Sequence, residues 1–185
     1  MQLHPMIELS GDHEVRQAKG FKDAAAALTG EELAGMYETE LANAPKRAAA
    51  GKKFLVKAKP PTARRANKDE EHLSLALLKH CRDSGEGLVL PRVGNLDLLA
   101  AQVPMATASV DRSLGDADPN KGVGKIDLLG VGPEERLVVV KLKFAAPGAT
   151  RGGTGDTPLR AFLDGLAQAA IASAHRDSLA AELAA

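Results

Sequence analysis

The sequence predicts an α/β fold: a central β-sheet flanked by helices, with a helical N-terminal extension. Three observations point there. Residues 124–144 read as two strands joined by a tight turn, one carrying the lone acid Asp127 among apolar neighbours, the other ending in Lys141-Leu142-Lys143. A helical pattern precedes this hairpin at 69–83, and another follows from Pro158 to Ser173. The first fifty residues are rich in Ala, which suits helices but gives a core little bulk.

Each element has its own signal. Residues 12–28 and 31–50 read as helices, the second opening after Thr29-Gly30 with Glu31 and Glu32 in its first turn. Phe54 to Lys59 is a short strand candidate, stopped by Pro60-Pro61. We therefore divide the chain into an N-terminal extension with a basic linker, 1–63, and a compact domain, 64–185. Asn67 caps the next helix, with Glu70 as its capping-box partner. Leu73, Ala76, Leu77, His80 and Cys81 recur at three- and four-residue steps and mark its apolar face. Gly87 to Val93 is a strand, Gly94-Asn95 a turn, and Leu96 to Val103 a second strand or a short helix. Residues 104–124 form a long loop, of the length that is often functional or mobile. After the hairpin, 145–157 is a Gly-rich loop, and Pro158 sits where a helix's first turn tolerates it. The helix runs through Phe162, Leu166, Ala169, Ala170 and Ser173, and the tail from Ser178 is helical. There is no internal repeat.

Composition narrows the function. The 185 residues carry no formal net charge, but the charge is uneven. Residues 45–68 hold nine Lys or Arg and no acid, whereas 1–44 hold eight acids and three Lys or Arg. The block, with Lys52, Lys53, Lys57, Lys59, Arg64 and Arg65, is either an arm for a nucleic-acid backbone or a solvated linker. With no Trp, one Tyr and four Phe, a base-stacking platform is disfavoured, so contacts to DNA fall on phosphates. The single cysteine, Cys81, rules out an internal disulfide and fits a reducing cytosol. Nothing resembles a signal peptide, and no apolar run approaches the roughly 18 residues of a membrane span. These features predict a soluble, cytoplasmic protein without membrane contact.

The hairpin resembles the metal-binding hairpin of the PD-(D/E)XK nuclease superfamily, in which an Asp on one strand is followed by Asp/Glu-x-Lys on the next. The order helix, strand, strand, strand, helix over about residues 64–176 is similar to that family's α-β-β-β-α-β kernel, without its last strand. The resemblance implies a restriction-endonuclease-like fold, with a mixed central β-sheet flanked by helices, and hydrolysis of DNA phosphodiesters with Mg²⁺ or Mn²⁺. It matches Asp127 to the first acid and Lys143 to the motif lysine. Glu70, with Glu71 as second choice, matches the metal-binding Glu of the first helix. Gln168 matches a Gln that some members place near the active site.

One position departs from the pattern. Where the family has its second acid this chain has Lys141, which is not a ligand for a hard cation and repels it. Lys141 either pairs with Asp127 in the metal's place or points away, and a one-residue change of register decides which face it takes. Asp111, Asp116 and Asp118 in the preceding loop are candidate substitute ligands. The expected function is a nuclease-like protein impaired or inactive as written. The alternative is a non-catalytic interaction protein that binds DNA through 45–68 or a protein partner through the N-terminal helices. Two features are weaker: Gly152-Gly153-Thr154-Gly155 before a helix lacks the Lys-Ser/Thr of a P-loop, and the five histidines show no paired metal spacing.

Overall fold

A computed structural model describes residues 3–17, 19–47, 53–55, 69–143 and 157–184. The strands are β1 (Leu88–Leu90), β2 (Gly94–Pro104), β3 (Lys125–Val131) and β4 (Leu137–Val140), side by side in that order. All three pairings are antiparallel, which corrects the mixed sheet that the resemblance implies. The reason lies in the connections. Residues 91–93, 105–124 and 132–136 are turns or loops that return the chain beside itself, whereas parallel pairing needs a crossover. The choice between strand and helix for Leu96–Val103 resolves to strand. The β3–β4 turn is a 3-10 turn, with Glu134 at φ 61° and Glu135 at φ 59°.

Helices cover both faces of the sheet. Helix α5 (Asp69–Ser84) packs Leu75 and Leu78 against Ala101 of β2 and Leu128 of β3. On the other face, α6 (Pro158–Ala174) and α7 (Arg176–Leu183) bury Ile171, Ala172 and Leu179 against Ala100, Val103, Ile126 and Leu129. The tail is thus helical, and among the described residues no fifth strand follows α6. Each of the buried Leu, Ile and Val side chains among these stabilises the fold by about 1.5–3 kcal/mol.

The N-terminal region forms α1 (Pro5–Gly11), α2 (His13–Arg16), α3 (Phe21–Ala27) and α4 (Gly30–Ala42). These pack on the first half of α6, where Met6 and Val15 meet Leu159, Leu163 and Ala167. One helix therefore serves two cores, N-terminal helices at its start and the sheet at its end. Helix α1 is not expected from the sequence, and the single helix expected over 12–28 is two, α2 and α3. They are separate because the chain folds back at Gly20, where a Cβ would lie 2.9 Å from the Glu14 carbonyl oxygen. Helix α4 starts as expected, closed by a capping box between Thr29 and Glu32, but ends at Ala42 rather than near 50.

The buried face of α5 also differs from expectation. It is Ser74, Leu75, Leu78 and Cys81, while Leu73 is 37% exposed and His80 lies in solvent. Leucines at 73, 75, 77 and 78 satisfy two helical stripes, and the small Ser74 does not advertise itself as core. Among the described residues no helix is long and apolar enough to cross a membrane.

Candidate functional site

Asp127 lies mid-way along β3 and is 5% exposed. Its neighbours show how a carboxylate is accommodated there. In a regular strand, residues two apart share a face. Here Ala100 and Val103, three apart, share the α6-side core, as do Ile126 and Leu129, while Ala101 and Leu128 face α5. The alternation breaks at Gln102, which stands opposite Asp127 between the pairs Ala101–Leu128 and Val103–Ile126. Gln102 has φ 56°, a left-handed conformation that costs a non-glycine residue about 1–2 kcal/mol.

The Asp127 carboxylate is well satisfied. Oδ2 accepts the Leu142 amide at 2.9 Å and lies 3.0 Å from Lys141 Nζ, and Oδ1 accepts Gln102 Nε2 at 3.4 Å. The Leu142 amide, which a longer ladder would offer to β3's main chain, goes to this side chain, and β4 ends at Val140. Lys141 and Lys143 therefore follow the strand rather than sit in it. The Lys141 side chain is 15% exposed and runs beneath α6, where a Cβ on Gly165 would come within 3.4 Å of Lys141 Cβ. Lys143 turns to Asp164 of α6, with Nζ 3.7 Å from Oδ2, and Arg160 Nε approaches the same carboxylate at 3.9 Å.

Asp127 is also tied to the first turn of α5. Gln102 Nε2 donates to Ser74 Oγ at 3.0 Å as well as to Asp127, and Ser74 donates to the Glu71 carbonyl oxygen. Glu70 and Glu71 are half-buried in that turn. An inner face at Leu73 and Leu77 would favour Glu70 over Glu71. With the face at Ser74, Leu75 and Leu78, Glu71 lies three, four and seven residues before it and is the better aligned. Gln168 is buried on α6, its amide nitrogen 3.9 Å from where a Cβ on Gly124 would sit at the entry to β3.

The loop acids are committed elsewhere. Asp118 accepts the Asn120 and Asp111 amides, Asp116 pairs with Lys121, and Asp111 accepts from Ser113. Each is held below the usual carboxylate range, chiefly by the Asn120 amide, the Lys121 ammonium and the Ser113 hydroxyl respectively. Of the basic block's six named residues only Lys53 is described, and it is exposed next to the buried Phe54; Lys52, Lys57, Lys59, Arg64 and Arg65 lie outside the described residues, as do Asn67 and residues 152–155.

This donor set does not fit a divalent cation. Asp127 Oδ2 is taken by an amide and an ammonium, and the next position that would supply an oxygen supplies Lys141 Nζ. Among the described residues no three His, Cys, Asp or Glu side chains are grouped to hold a metal ion. At about 4 Å and an effective dielectric near 20, an ammonium repels a divalent ion by roughly 8 kcal/mol. What the arrangement does is neutralise a buried acid with an internal cation.

Three contributors are not evident from the sequence: Gln102, Ser74 and Asp164. Asp164 does carry a signal, since it stands four residues before Gln168 and four after Arg160 on one face of α6. No protein-family model matches the chain, and neither a curated protein nor a solved structure matches it.

Proposed function

We propose that this chain is a PD-(D/E)XK-like protein that binds duplex DNA without cutting it, the Lys141 ammonium standing where such nucleases keep a metal ion. The observation that carries the reading is the 3.0 Å contact between Lys141 Nζ and Asp127 Oδ2. Supporting it are the antiparallel β2–β3–β4 meander between α5 and α6, with Asp127 on its middle strand, and the link from Asp127 to the first turn of α5. DNA enters the proposal through the block at 45–68, nine Lys or Arg without an acid, which suits phosphates rather than bases.

The test uses calorimetry with Mn²⁺, plasmid cleavage and duplex binding at several salt concentrations. The given chain should bind no Mn²⁺ and leave plasmid intact. It should bind duplex DNA with little sequence preference. Lys52, Lys53, Arg64 and Arg65 changed to Ala should reduce the salt slope by about 0.9 for each phosphate no longer neutralised. Lys141→Glu should gain Mn²⁺ affinity, and Asp127→Ala in that background should remove it. Cleavage by the given chain that Asp127→Ala abolishes would establish an active nuclease instead. Absence of DNA binding at low salt would turn the reading toward a protein partner on the N-terminal helices.

A further inference from the structure

A second buried charge pair lies among the N-terminal helices, beside the loop that leads into β3. Glu40 of α4 is fully buried, and His4, just before α1, is 3% exposed. His4 Nδ1 lies 2.6 Å from Glu40 Oε2, and Nε2 lies 2.8 Å from the Pro119 carbonyl oxygen. Glu40 Oε1 accepts the Met6 amide at 2.9 Å and the Ile7 amide at 3.4 Å. Both ring nitrogens thus face acceptors, so full bonding requires a proton at each contact. A neutral imidazole beside a carboxylate is one proton short, whichever partner holds the extra one.

We infer that His4 is a proton-operated latch that fastens the 105–124 loop to the N-terminal helices and releases it when one proton is lost. Glu40 keeps the remaining proton on Nδ1, because a charged acceptor makes the stronger bond. The bare Nε2 lone pair then faces the Pro119 oxygen and this tie to the loop is gone, while Met105 and Val123 stay against the sheet core. His4 holds the loop at the residue on which its order depends. Asn120 Oδ1 accepts the Thr107 and Ala108 amides and Asp118 accepts the Asp111 amide, so the two side chains that order the loop flank Pro119 and loosen with it. The loop also has room, since a cavity of about 770 Å³ opens between α1 and the loop, lined in part by Leu3, His4, Ile7 and Gly122.

The surrounding charges favour the latched form. Burial lowers the affinity of His4 for its proton, but Glu40, the Pro119 carbonyl and Glu8 of α1 outweigh it and hold the ring above its ordinary value. Asp12, between α1 and α2, and Asp116, Asp118 and Lys121 of the loop line the same cavity. The α6 side chains in the core with Met6, namely Leu159, Leu163 and Ala167, are apolar. A group whose folded pKa is raised contributes fully below its unfolded value, near 6.5, and the contribution is lost as pH rises through the folded value. Release therefore belongs to the alkaline side.

Amide hydrogen exchange and imidazole NMR on the full chain test this. Between pH 6 and 9, after correction for intrinsic exchange, the Thr107, Ala108 and Asp111 amides should lose protection while the β3 amides keep theirs. Glu40→Gln should abolish that loss. Its amide donates to a neutral Nδ1 while Nε2–H stays on Pro119, so every bond is kept without the titrating proton. Equal alkaline loss of protection in Glu40→Gln would overturn the latch. So would a His4 ring in the unmodified chain titrating at or below about 6.5, a readout that needs no variant to fold.

Discussion

The Lys141–Asp127 and His4–Glu40 pairs are both buried, yet they hold the molecule in different ways. The first joins β3 to the residues just after β4, fifteen positions or fewer apart, and is an ammonium against a carboxylate. The second joins segments 36 and 115 residues apart through one ring, and a single proton decides whether it closes. The sheet pair sits on the hairpin, where β3 meets the end of β4. The N-terminal pair sits where the loop leading into β3 is anchored. A buried pair of fixed charges defines a static centre, whereas a buried imidazole makes an anchor that responds to its surroundings.

The largest effect expected from breaking this comparison is at Lys141. Lys141→Met leaves Asp127 buried without its cation, and losing one partner of such a pair costs about 3–5 kcal/mol. Asp127→Asn should cost less, because the long lysine stem can carry its ammonium toward solvent while a short aspartate cannot move. Denaturant melts of both variants at pH 7 check the order. A Lys141→Met loss no larger than that of Asp127→Asn would show that the ion pair is not what holds β4's end.

An intermediate effect belongs to a second histidine. His175, between α6 and α7, is 8% exposed and its ring lies 4.9 Å from that of Phe54. Burial holds it below the ordinary imidazole value; the charge of Arg47 lowers it further, against a hydrogen bond with Pro45. The sign is opposite to that at His4. Stability is unaffected above the unfolded value near 6.5, falls as pH drops below it, and levels off below the folded value. His175→Gln should flatten the acid side of a melting-temperature profile and leave the alkaline side alone. An unchanged acid limb would place the titrating group elsewhere.

How far these centres can be read in the sequence follows from the range of their contacts. The contact of Asp127 with Lys141 is legible because a hairpin brings sequence neighbours together, whereas Lys143 turns to Asp164 of α6, which no local pattern shows. The α5 stripe misleads because its inner position is Ser74, buried by hydrogen bonds to Gln102 and Glu71 rather than by bulk. The His4–Glu40–Pro119 contact has no local signal. Each residue looks like an ordinary surface group until α1, α4 and the loop meet. The mixed sheet is an expectation by resemblance, and the short connections between strands favour antiparallel pairing instead.

The smallest effect tests whether Gln102 is strained in the service of Asp127. Its side chain bridges Asp127 and Ser74, while its backbone holds φ 56°. Gln102→Ala removes both hydrogen bonds and keeps the strain, so it should cost about 1–2 kcal/mol. Gln102→Gly removes the same bonds but also the Cβ penalty, about 1 kcal/mol or more at a left-handed residue. Elsewhere in a strand glycine is the worse of the two, because it loses more backbone freedom on folding. Here the order should invert, with the glycine variant more stable than the alanine variant by about 1 kcal/mol. Urea melts at pH 7 are sensitive enough to see it. If alanine proves the more stable, position 102 carries no such strain, and the break in alternation beside Asp127 needs another cause.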